Sequence, residues 1–298
     1  DVYKRQSLHL NFIMNILGIS CFYHDSAAVL VKDGYVVSAC QEERFTRNKY
    51  DARFPLYAIN SCLQDNGLSI YDIDYIIFHE KPFLKFSRTV IEHLLSYPFS
   101  YNNFRKTMPY WFKERLIIPL IIEKELGYKG KVLFAKHHFS HAASAFLVSP
   151  YEKAAILTVD GVGEWAVATY GVGFQNEMKI IKELYYPHSL GLVYSAFTGF
   201  LGFMPLSGEG KVMGLAGYGQ PEYMDKFKKI ISVNDDGSID VDESYFGFNK
   251  GNLMFSKKLV KLFGRPREPG SELTTRDCNI AATLQKFTED VLIKMANH

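Results

Sequence analysis

Two histidines four positions apart are the strongest candidate metal ligands in the 298-residue sequence. His137 and His141 lie in HHFSHAASAFL, whose small residues at helical spacing predict a helix after a short strand. Residues four apart share one helix face, and two neutral imidazoles one turn apart can ligate the same divalent ion. Asp160 ends the next predicted strand, which favours a third ligand at the same sheet edge. An HxxxH pair alone, however, more often marks surface histidines than a metal site.

Two polar turns carry further candidates. His24 and Asp25 follow the first predicted strand, where an imidazole can act as an acid or base or donate a hydrogen bond to a carbonyl. An Asx-type turn with an exposed histidine is the structural alternative. The second turn, residues 160–164 (DGVGE), offers backbone N–H groups for an anion and carboxylates for a metal. Its simpler interpretation is a hairpin between core strands.

Residues 207–219 (SGEGKVMGLAGYG) are rich in glycine. The segment is no P-loop, because Pro205 stands where the first glycine belongs and no Ser or Thr follows Lys211. It also lacks the GxGxxG spacing and the βαβ unit of a dinucleotide site. Backbone N–H groups at Gly208 and Gly210, together with Lys211, can still hold an anion. A flexible surface turn is the alternative.

The elements that must position these residues follow from apolar runs and turn signals. Asp33-Gly34 marks a tight hairpin, residues 232–252 indicate a surface hairpin or insertion, and the charged run 42–49 (EERFTRNK) is interpreted as a solvated face. Strands are predicted at 15–20, 27–32, 35–41, 74–79, 131–135, 154–159, 165–173 and 178–185. Helices are predicted at 55–65, through much of 83–127 and near the C-terminus, where Ile280, Leu284, Phe287, Val291 and Met295 recur at helical spacing.

One pattern of strands and turns occurs twice. An apolar strand leads through an Asp-bearing turn to a second strand, a tight turn and a third strand, and helices follow. Duplicated units of this kind resemble the actin-like ATPase (ASKHA) superfamily, which includes hexokinase and the sugar kinases. We therefore predict an α/β fold of that superfamily, with duplicated β-hairpin and helix units around a cleft that the Asp-bearing turns face.

Composition excludes several classes of protein. A net charge of +2 and a pI near 8.2 provide no strong attraction to nucleic acid or membranes. The four cysteines lack metal-type spacing, and no apolar run reaches the roughly 20 residues of a membrane span. We expect a cytoplasmic protein with reduced cysteines that binds neither nucleic acid nor membrane, and the oligomeric state stays open.

Both ends of the chain are unusual. Residues 1–13 precede Met14, which opens the first strand, and we expect them to be a non-native or disordered leader. The helical pattern at the other end reaches His298 without a glycine or proline to stop it. The predicted organisation is a leader followed by one domain at 14–298 that is incomplete at its C-terminus.

Five segments in order resemble the carbamoyltransferase family, which includes nodulation and antibiotic O-carbamoyltransferases: GISCFYHDSAAVLVKDG, EERFTRNK, HHFSHAASAF, LTVDGVGEW and GEGKVMGLAGYG. The resemblance spans nearly the whole chain and implies a fold related to the tRNA threonylcarbamoyl-adenosine transferases. The implied metal ligands, often for iron(II), are His137, His141 and Asp160. The predicted nucleotide-binding residues are Asp160, Gly161, Gly163, Glu164, Gly208 and Gly210. The predicted catalytic residues are His24, Asp25 and Lys211.

The resemblance also implies a reaction in two stages. Carbamoyl phosphate and ATP give carbamoyl adenylate in a second, adenylate-forming domain that this chain lacks. An acceptor hydroxyl then attacks the carbamoyl carbon at the metal site, with the ion as Lewis acid and template and His24 as proton acceptor or oxyanion donor. The implied partners are carbamoyl phosphate and a small-molecule acceptor such as a sugar or natural product. We expect this chain alone to be inactive.

Two other hypotheses stay open at this stage. The chain can belong to a tRNA threonylcarbamoyl transferase or a small-molecule kinase, although the first favours a basic surface and the second has no use for the HxxxH pair. A scaffold or regulatory module is the non-enzymatic alternative, but a scaffold gains nothing from Asp- and His-bearing turns.

Overall fold

The computed structural model describes residues 14–248 and 253–298, so the predicted leader at 1–13 lies outside the described residues. The chain divides into two compact units. The first comprises the residues up to 87 together with 106–144, and the second comprises 88–105 and 145–298. Groups of strands and groups of helices follow one another along the chain, and the fold is mixed α/β as predicted.

Within the described residues the strands are β1 (Asn15–Ser20), β2 (Ala27–Lys32), β3 (Tyr35–Gln41), β4 (Tyr75–Phe78), β5 (Lys131–Phe134), β6 (Lys153–Val159), β7 (Ala166–Phe174), β8 (Glu177–Tyr185), β9 (Ile231–Val233) and β10 (Ile239–Val241). The α-helices are α1 (Glu43–Thr46), α2 (Leu56–Gln64), α3 (Pro82–Leu95), α4 (Tyr101–Tyr110), α5 (Ile118–Leu126), α6 (His137–Phe146), α7 (Leu190–Phe200), α8 (Glu209–Ala216), α9 (Met224–Phe227), α10 (Lys257–Phe263) and α11 (Thr275–Asn297). The first three strands have their predicted bounds, and each of the other predicted strands differs from its predicted bounds by one residue at one end or at both.

The first unit contains a five-stranded sheet in the order β3-β2-β1-β4-β5. β2 is antiparallel to both β1 and β3, whereas β4 is parallel to both β1 and β5. Asp33 and Gly34 have φ values of 51° and 85°, as the tight hairpin between β2 and β3 requires. Because β1, β4 and β5 run in one direction, the segments that follow Ser20, Phe78 and Phe134 emerge at one edge of the sheet.

One face of this sheet packs against α2 and α5. Along β1, Leu17 and Ile19 are buried while their neighbours are half-buried, which is the alternation of a strand with one face in the core. Burying a side chain of this size stabilises the fold by roughly 1.5–3 kcal/mol. The other buried members of this core include Leu30, Ala58, Ile59, Cys62, Ile76, Phe78, Ile118 and Ile122.

Most of the charged run 42–49 is exposed, as predicted, but Glu42 is an exception. Its side chain is 2% exposed, and its carboxylate accepts the N–H groups of Ala58 at 2.8 Å and Tyr57 at 3.3 Å. These donors lie in the first turn of α2, where N–H groups have no partner within the helix. The Glu42 carboxylate, just after β3, therefore caps α2, which begins at Leu56.

The second unit combines the antiparallel sheet β6-β7-β8 with a helical core rich in phenylalanine. Phe197 stacks on Phe227 with centroids 4.7 Å apart, and Phe263 packs edge-on against both. α11 begins with a capping box between Thr274 and Asp277. The five apolar residues predicted to line α11 are all buried.

A hairpin, β9-β10, forms in the first part of the predicted region 232–252. Ile231, Ile239 and Val241 are buried in the core of the second unit, so one side of the hairpin is not at the surface, and residues 249–252 lie outside the described residues.

The four cysteines are free, as expected, and burial raises the pKa of the Cys21 and Cys62 thiols. In residues 14–248 and 253–298, no helix combines the length and apolar character needed to cross a bilayer.

Candidate metal centre

The histidine pair lies at the start of α6, immediately after β5. Ala142 and Phe146 on the same helix are buried and anchor it, while His141 is exposed and His137 half-buried. The Nε2 atoms of the two histidines are 3.0 Å apart, a distance at which one ring donates a hydrogen bond to the other. Two nitrogens bound about 2.1 Å from one ion have a similar separation. The donor pair therefore fits a single divalent ion.

Ser140 fixes the start of α6 against the end of β4. Its hydroxyl donates a hydrogen bond of 2.9 Å to the carbonyl of His79, the first residue after that strand. The N–H of His79 in turn donates to the carbonyl of Ile19 at 3.2 Å. These bonds hold the segments that follow β1, β4 and β5 together at the sheet edge.

A buried carboxylate accompanies the histidines. Glu80 Oε2 lies 3.9 Å from Nδ1 of His137, 3.7 Å from Nε2 of His79 and 2.5 Å from Nζ of Lys85. Burial opposes its charge, but Lys85 and the histidines outweigh burial, and the pKa of Glu80 is lowered. Burial lowers the pKa of His79 to about 4, so that ring is neutral near pH 7.

Sequence reasoning did not identify Glu80, although a signal was available. The residue follows β4, which lies between β1 and β5 in the sheet and is parallel to both. A carboxylate just after a strand in that position is expected at the same edge as the residues that follow its neighbours.

Backbone hydrogen bonds to residues 51 and 52 hold the first polar turn in place. The N–H groups of Phe22 and Ser26 donate to the carbonyls of Ala52 and Asp51, both at 2.7 Å. His24 Nδ1 is 2.7 Å from Asp25 Oδ2. The carboxylate thus orients the ring through Nδ1 and leaves Nε2 as the atom that can exchange a proton with a bound molecule.

The second polar turn packs against the start of α7. Ser189 caps that helix and donates to the carbonyl of Gly161 at 2.6 Å, while the Asp160 carboxylate accepts the N–H of Gly161 at 2.7 Å. Gly163 donates to the carbonyl of Ala166, which closes the turn. Glu164 is 7% exposed, and its carbonyl accepts a hydrogen bond from Arg88. The turn is thus more firmly fixed than a simple surface hairpin.

The glycine-rich segment forms helix α8 where we predicted a loop or surface turn. The N–H of Gly208 donates to the carbonyl of Met204 at 2.8 Å, so this N–H is already engaged within the chain. Glu209 accepts hydrogen bonds from Ser195 and from the N–H of Leu206. Gly210 and the exposed Lys211 lie in the first turn of the helix.

The predicted site residues are divided between the two units. His24, Asp25, His137 and His141 belong to the first unit, and Asp160, Gly161, Gly163, Glu164, Gly208, Gly210 and Lys211 belong to the second. The structure brings the two histidines of α6 together and pairs His24 with Asp25. Asp160 follows β6, which belongs to a different sheet from β5, so the predicted shared sheet edge is wrong. The participation of Asp160 in the same metal site stays a prediction.

A family model matches almost the full length of the chain. Residues 15–298 match the family model described as carbamoyltransferase N-terminus. The chain belongs to this family. The resemblance drawn from the five segments is thereby confirmed.

The relatives are longer proteins. The uncharacterized protein sll1178 of Synechocystis sp. is 45% identical over 293 residues, which cover 95% of this chain and 48% of that protein. The nodulation protein NolNO of Sinorhizobium fredii is 31% identical over 281 residues, 93% of this chain and 38% of the relative. The chain thus spans less than half the length of either. Among solved structures, YeaZ from Pseudomonas aeruginosa matches 59% of this chain and 68% of its own, at 14% identity and a TM-score of 0.35, which supports no assignment.

Proposed function

We propose that this chain supplies the metal and transfer site of an O-carbamoyltransferase. The observation that carries the proposal is the convergence of two imidazole Nε2 atoms, 3.0 Å apart, in a member of the carbamoyltransferase N-terminus family. Imidazole nitrogens suit iron(II), zinc and other borderline divalent ions. We propose Asp160 as a further ligand, on the sequence pattern alone. The proposed compartment is the cytoplasm.

The proposed donor is carbamoyl adenylate. Carbamoyl phosphate, water and ATP would give this adenylate together with phosphate and pyrophosphate, in a part of the full-length protein outside the present sequence. The nucleotide would be held by the second turn, through the residues 160–164, and by Gly208 and Gly210 at the start of α8. The acceptor is a small molecule with a hydroxyl group, such as a sugar or another natural product.

His24 is the proposed proton acceptor in the transfer step. The acceptor oxygen attacks the carbamoyl carbon, its proton passes to Nε2 of His24, and the bond from that carbon to the adenylate oxygen breaks to release AMP. Asp25 holds the ring by Nδ1 and stabilises the imidazolium that forms. Lys211 can balance charge on the leaving phosphate. A bound metal would polarise the carbamoyl carbonyl.

The actin-like architecture is part of the same proposal. Two three-stranded antiparallel sets support it, β1-β2-β3 in the first unit and β6-β7-β8 in the second. In the first set a polar turn joins the first two strands, and in the second set the turn that begins at Asp160 does the same.

The test uses the full-length gene product with labelled carbamoyl phosphate, ATP and a panel of sugars and other alcohols. We expect ATP-dependent release of pyrophosphate and transfer of label to an acceptor, both lost after the metal is removed by chelation. The His137→Ala, His141→Ala double variant should lose transfer. Label transfer that persists unchanged in the double variant would contradict the metal role of the two histidines. Phosphorylation of the acceptor instead of carbamoylation would contradict the proposal and favour a kinase.

A further inference from the structure

Glu80 and Lys85 form a buried ion pair close to the histidines. Each residue is 5% exposed, and the carboxylate and ammonium are 2.5 Å apart. Taking two charges out of water is costly, and such pairs are often replaceable by apolar residues without loss of stability. A buried pair is therefore poor evidence for a stabilising role. The location of the Glu80–Lys85 pair therefore calls for an explanation other than stability.

The pair lies directly behind the proposed metal-binding face of His137. Nε2 of His137 points to His141, whereas Nδ1 lies 3.9 Å from the Glu80 carboxylate. That distance is in the range of an ion pair and outside that of a hydrogen bond, so the effect on the ring is electrostatic. A negative charge beside Nδ1 favours the tautomer that carries its proton there. The lone pair is then on Nε2, where His141 also presents its nitrogen.

A second metal ion between His79, Glu80 and His137 is the competing interpretation. One ligand atom from each of these residues lies within 4.8 Å of the others, close enough for a shared ion. However, the ammonium of Lys85 already lies against the Glu80 oxygen that faces both histidines. Like charges at such distances repel strongly in a buried site. Lys85 thus takes the place that a cation would occupy.

We propose that Glu80 and Lys85 are positioning residues that set the tautomer of His137, so that Nε2 is its metal-binding atom. Carboxylates that orient ligating histidines are a general device, and their removal typically costs roughly 10–100-fold in metal affinity. This inference rests on the proposed metal site of His137 and His141. It assigns to that site two residues that do not touch the metal themselves.

Lys85 also connects the site to the turn that carries His24. Its ammonium lies 4.6 Å from the ring centroid of Tyr23, and the guanidinium of Arg115 lies 5.8 Å from the same centroid. Arg115 further donates two hydrogen bonds, of 2.7 and 3.1 Å, to the carbonyl of Phe22. One chain of contacts therefore runs from His137 through Glu80 and Lys85 to the two residues before His24.

The test measures Co²⁺ affinity of the metal-free 298-residue chain by titration of the visible absorption bands, without any activity assay. Glu80→Gln keeps the shape of the side chain and removes its charge, and we expect Co²⁺ to bind roughly 10–100-fold more weakly. Glu125→Gln is the matched control, because this carboxylate is in the same unit but pairs with Lys124 at the exposed surface. Its affinity should stay within about twofold of wild type.

A double variant covers the case in which Glu80→Gln alone fails to fold. Glu80→Gln with Lys85→Met removes both charges and leaves no uncompensated ammonium in the interior. It should fold and still bind Co²⁺ as weakly as the single variant is expected to. In ¹⁵N spectra of the Zn²⁺ form, the wild-type His137 ring should keep its proton on Nδ1.

The outcomes separate this inference from the proposed function. If His137→Ala binds Co²⁺ as tightly as wild type, the metal site itself is absent and both proposals fail. If His137→Ala loses binding while Glu80→Gln and the double variant keep wild-type affinity, only the positioning role is overturned. Coordination of Zn²⁺ through Nδ1 of His137 would overturn it as well.

Discussion

The two polar turns share a sequence pattern but are held in different ways. In the first, the side chains of His24 and Asp25 are 50% and 36% exposed, and the fixed part is the backbone on either side. Its anchors come from distant segments, including Asp51 and Arg115. Phe22 and Asp25 have φ values of 68° and 49°, a conformation uncommon for residues other than glycine.

The second turn is fixed through its own backbone. Ser189 binds the carbonyl of Gly161, and Gly191 approaches so closely that an added Cβ would lie 2.7 Å from the carbonyl oxygen of Asp160. Glu164 is buried, and its carbonyl is bound by Arg88. The helix that follows therefore determines where this turn lies.

The difference is consistent with the separate roles that we propose for the two turns. A side chain that exchanges protons must reach the reacting molecule, and the exposed His24 can do so. A turn that holds an anion or contributes a metal ligand must have its geometry fixed in advance, as the second turn has. Three of the next four predictions test this distinction, and the four run from the largest expected effect to the smallest.

The variant His24→Gln tests the proton transfer proposed for the first turn. Because the variant removes the proposed proton acceptor, we expect kcat for carbamoyl transfer by the full-length protein to fall by roughly 10²–10⁴-fold. Co²⁺ affinity should be unchanged, since His24 is not a proposed ligand. Asp25→Asn should give a smaller loss of kcat. Wild-type transfer rates in His24→Gln would show that the exposed turn has no part in the reaction.

Gly191→Ala should disturb the backbone of the second turn. The new Cβ meets backbone atoms of Asp160 and Gly161 within 2.8 Å, and neither can move without shifting the turn. We expect the free energy of unfolding to drop by about 2–3 kcal/mol in urea titrations.

The matched control for that variant is Gly214→Ala in α8, where an added Cβ has no described atom within 4 Å apart from its chain neighbours and the backbone of its own helix. That change should raise stability by about 0.5–1 kcal/mol. Equal effects at the two glycines would mean that α7 does not hold the turn.

The variant Glu42→Gln should destabilise the first unit at the cap of α2, which belongs to neither turn. The neutral amide is a poorer acceptor for the N–H groups of Tyr57 and Ala58, and we expect a loss of about 1–2 kcal/mol in the free energy of unfolding. Glu125→Gln at the surface should change it by less than about 0.5 kcal/mol. A Glu42→Gln variant as stable as that control would argue against the cap.

Asp51 offers the most sensitive test of how the first turn is anchored. Hydrogen bonds from Arg53 and Thr46 outweigh burial and hold the pKa of Asp51 below its usual range. A carboxyl whose pKa is lower in the folded state adds stability above its unfolded pKa of about 3.9 and loses it as pH falls towards the folded pKa.

The melting temperature of wild type should therefore fall more steeply than that of Asp51→Asn as pH is lowered from 5 to about 3. The two should differ most at neutral pH, where the variant is less stable. Parallel curves over this range would show that the carboxylate adds nothing to the anchor.

Local preferences in the sequence determined most of the secondary structure. The alternation in β1, the Asp33-Gly34 turn and the helical spacing along α11 depend on residues close together in the chain, so each is visible without the fold. The HxxxH pair is also a local feature, because a helix brings residues four apart onto one face whatever surrounds it. The family also followed from the sequence, through five segments in a fixed order.

Tertiary structure decided the features that depend on distant partners. Glu42 is a buried cap only because α2 folds back onto it, and α8 is a helix despite its glycines because Val212 and Leu215 are buried in the core of the second unit. The positions of Glu80 and Lys85 behind His137 follow from the pairing of β4 with β5, and Arg115 reaches Phe22 across ninety-three positions of chain. No periodicity in a short window encodes such contacts, since they arise from the packing of whole elements.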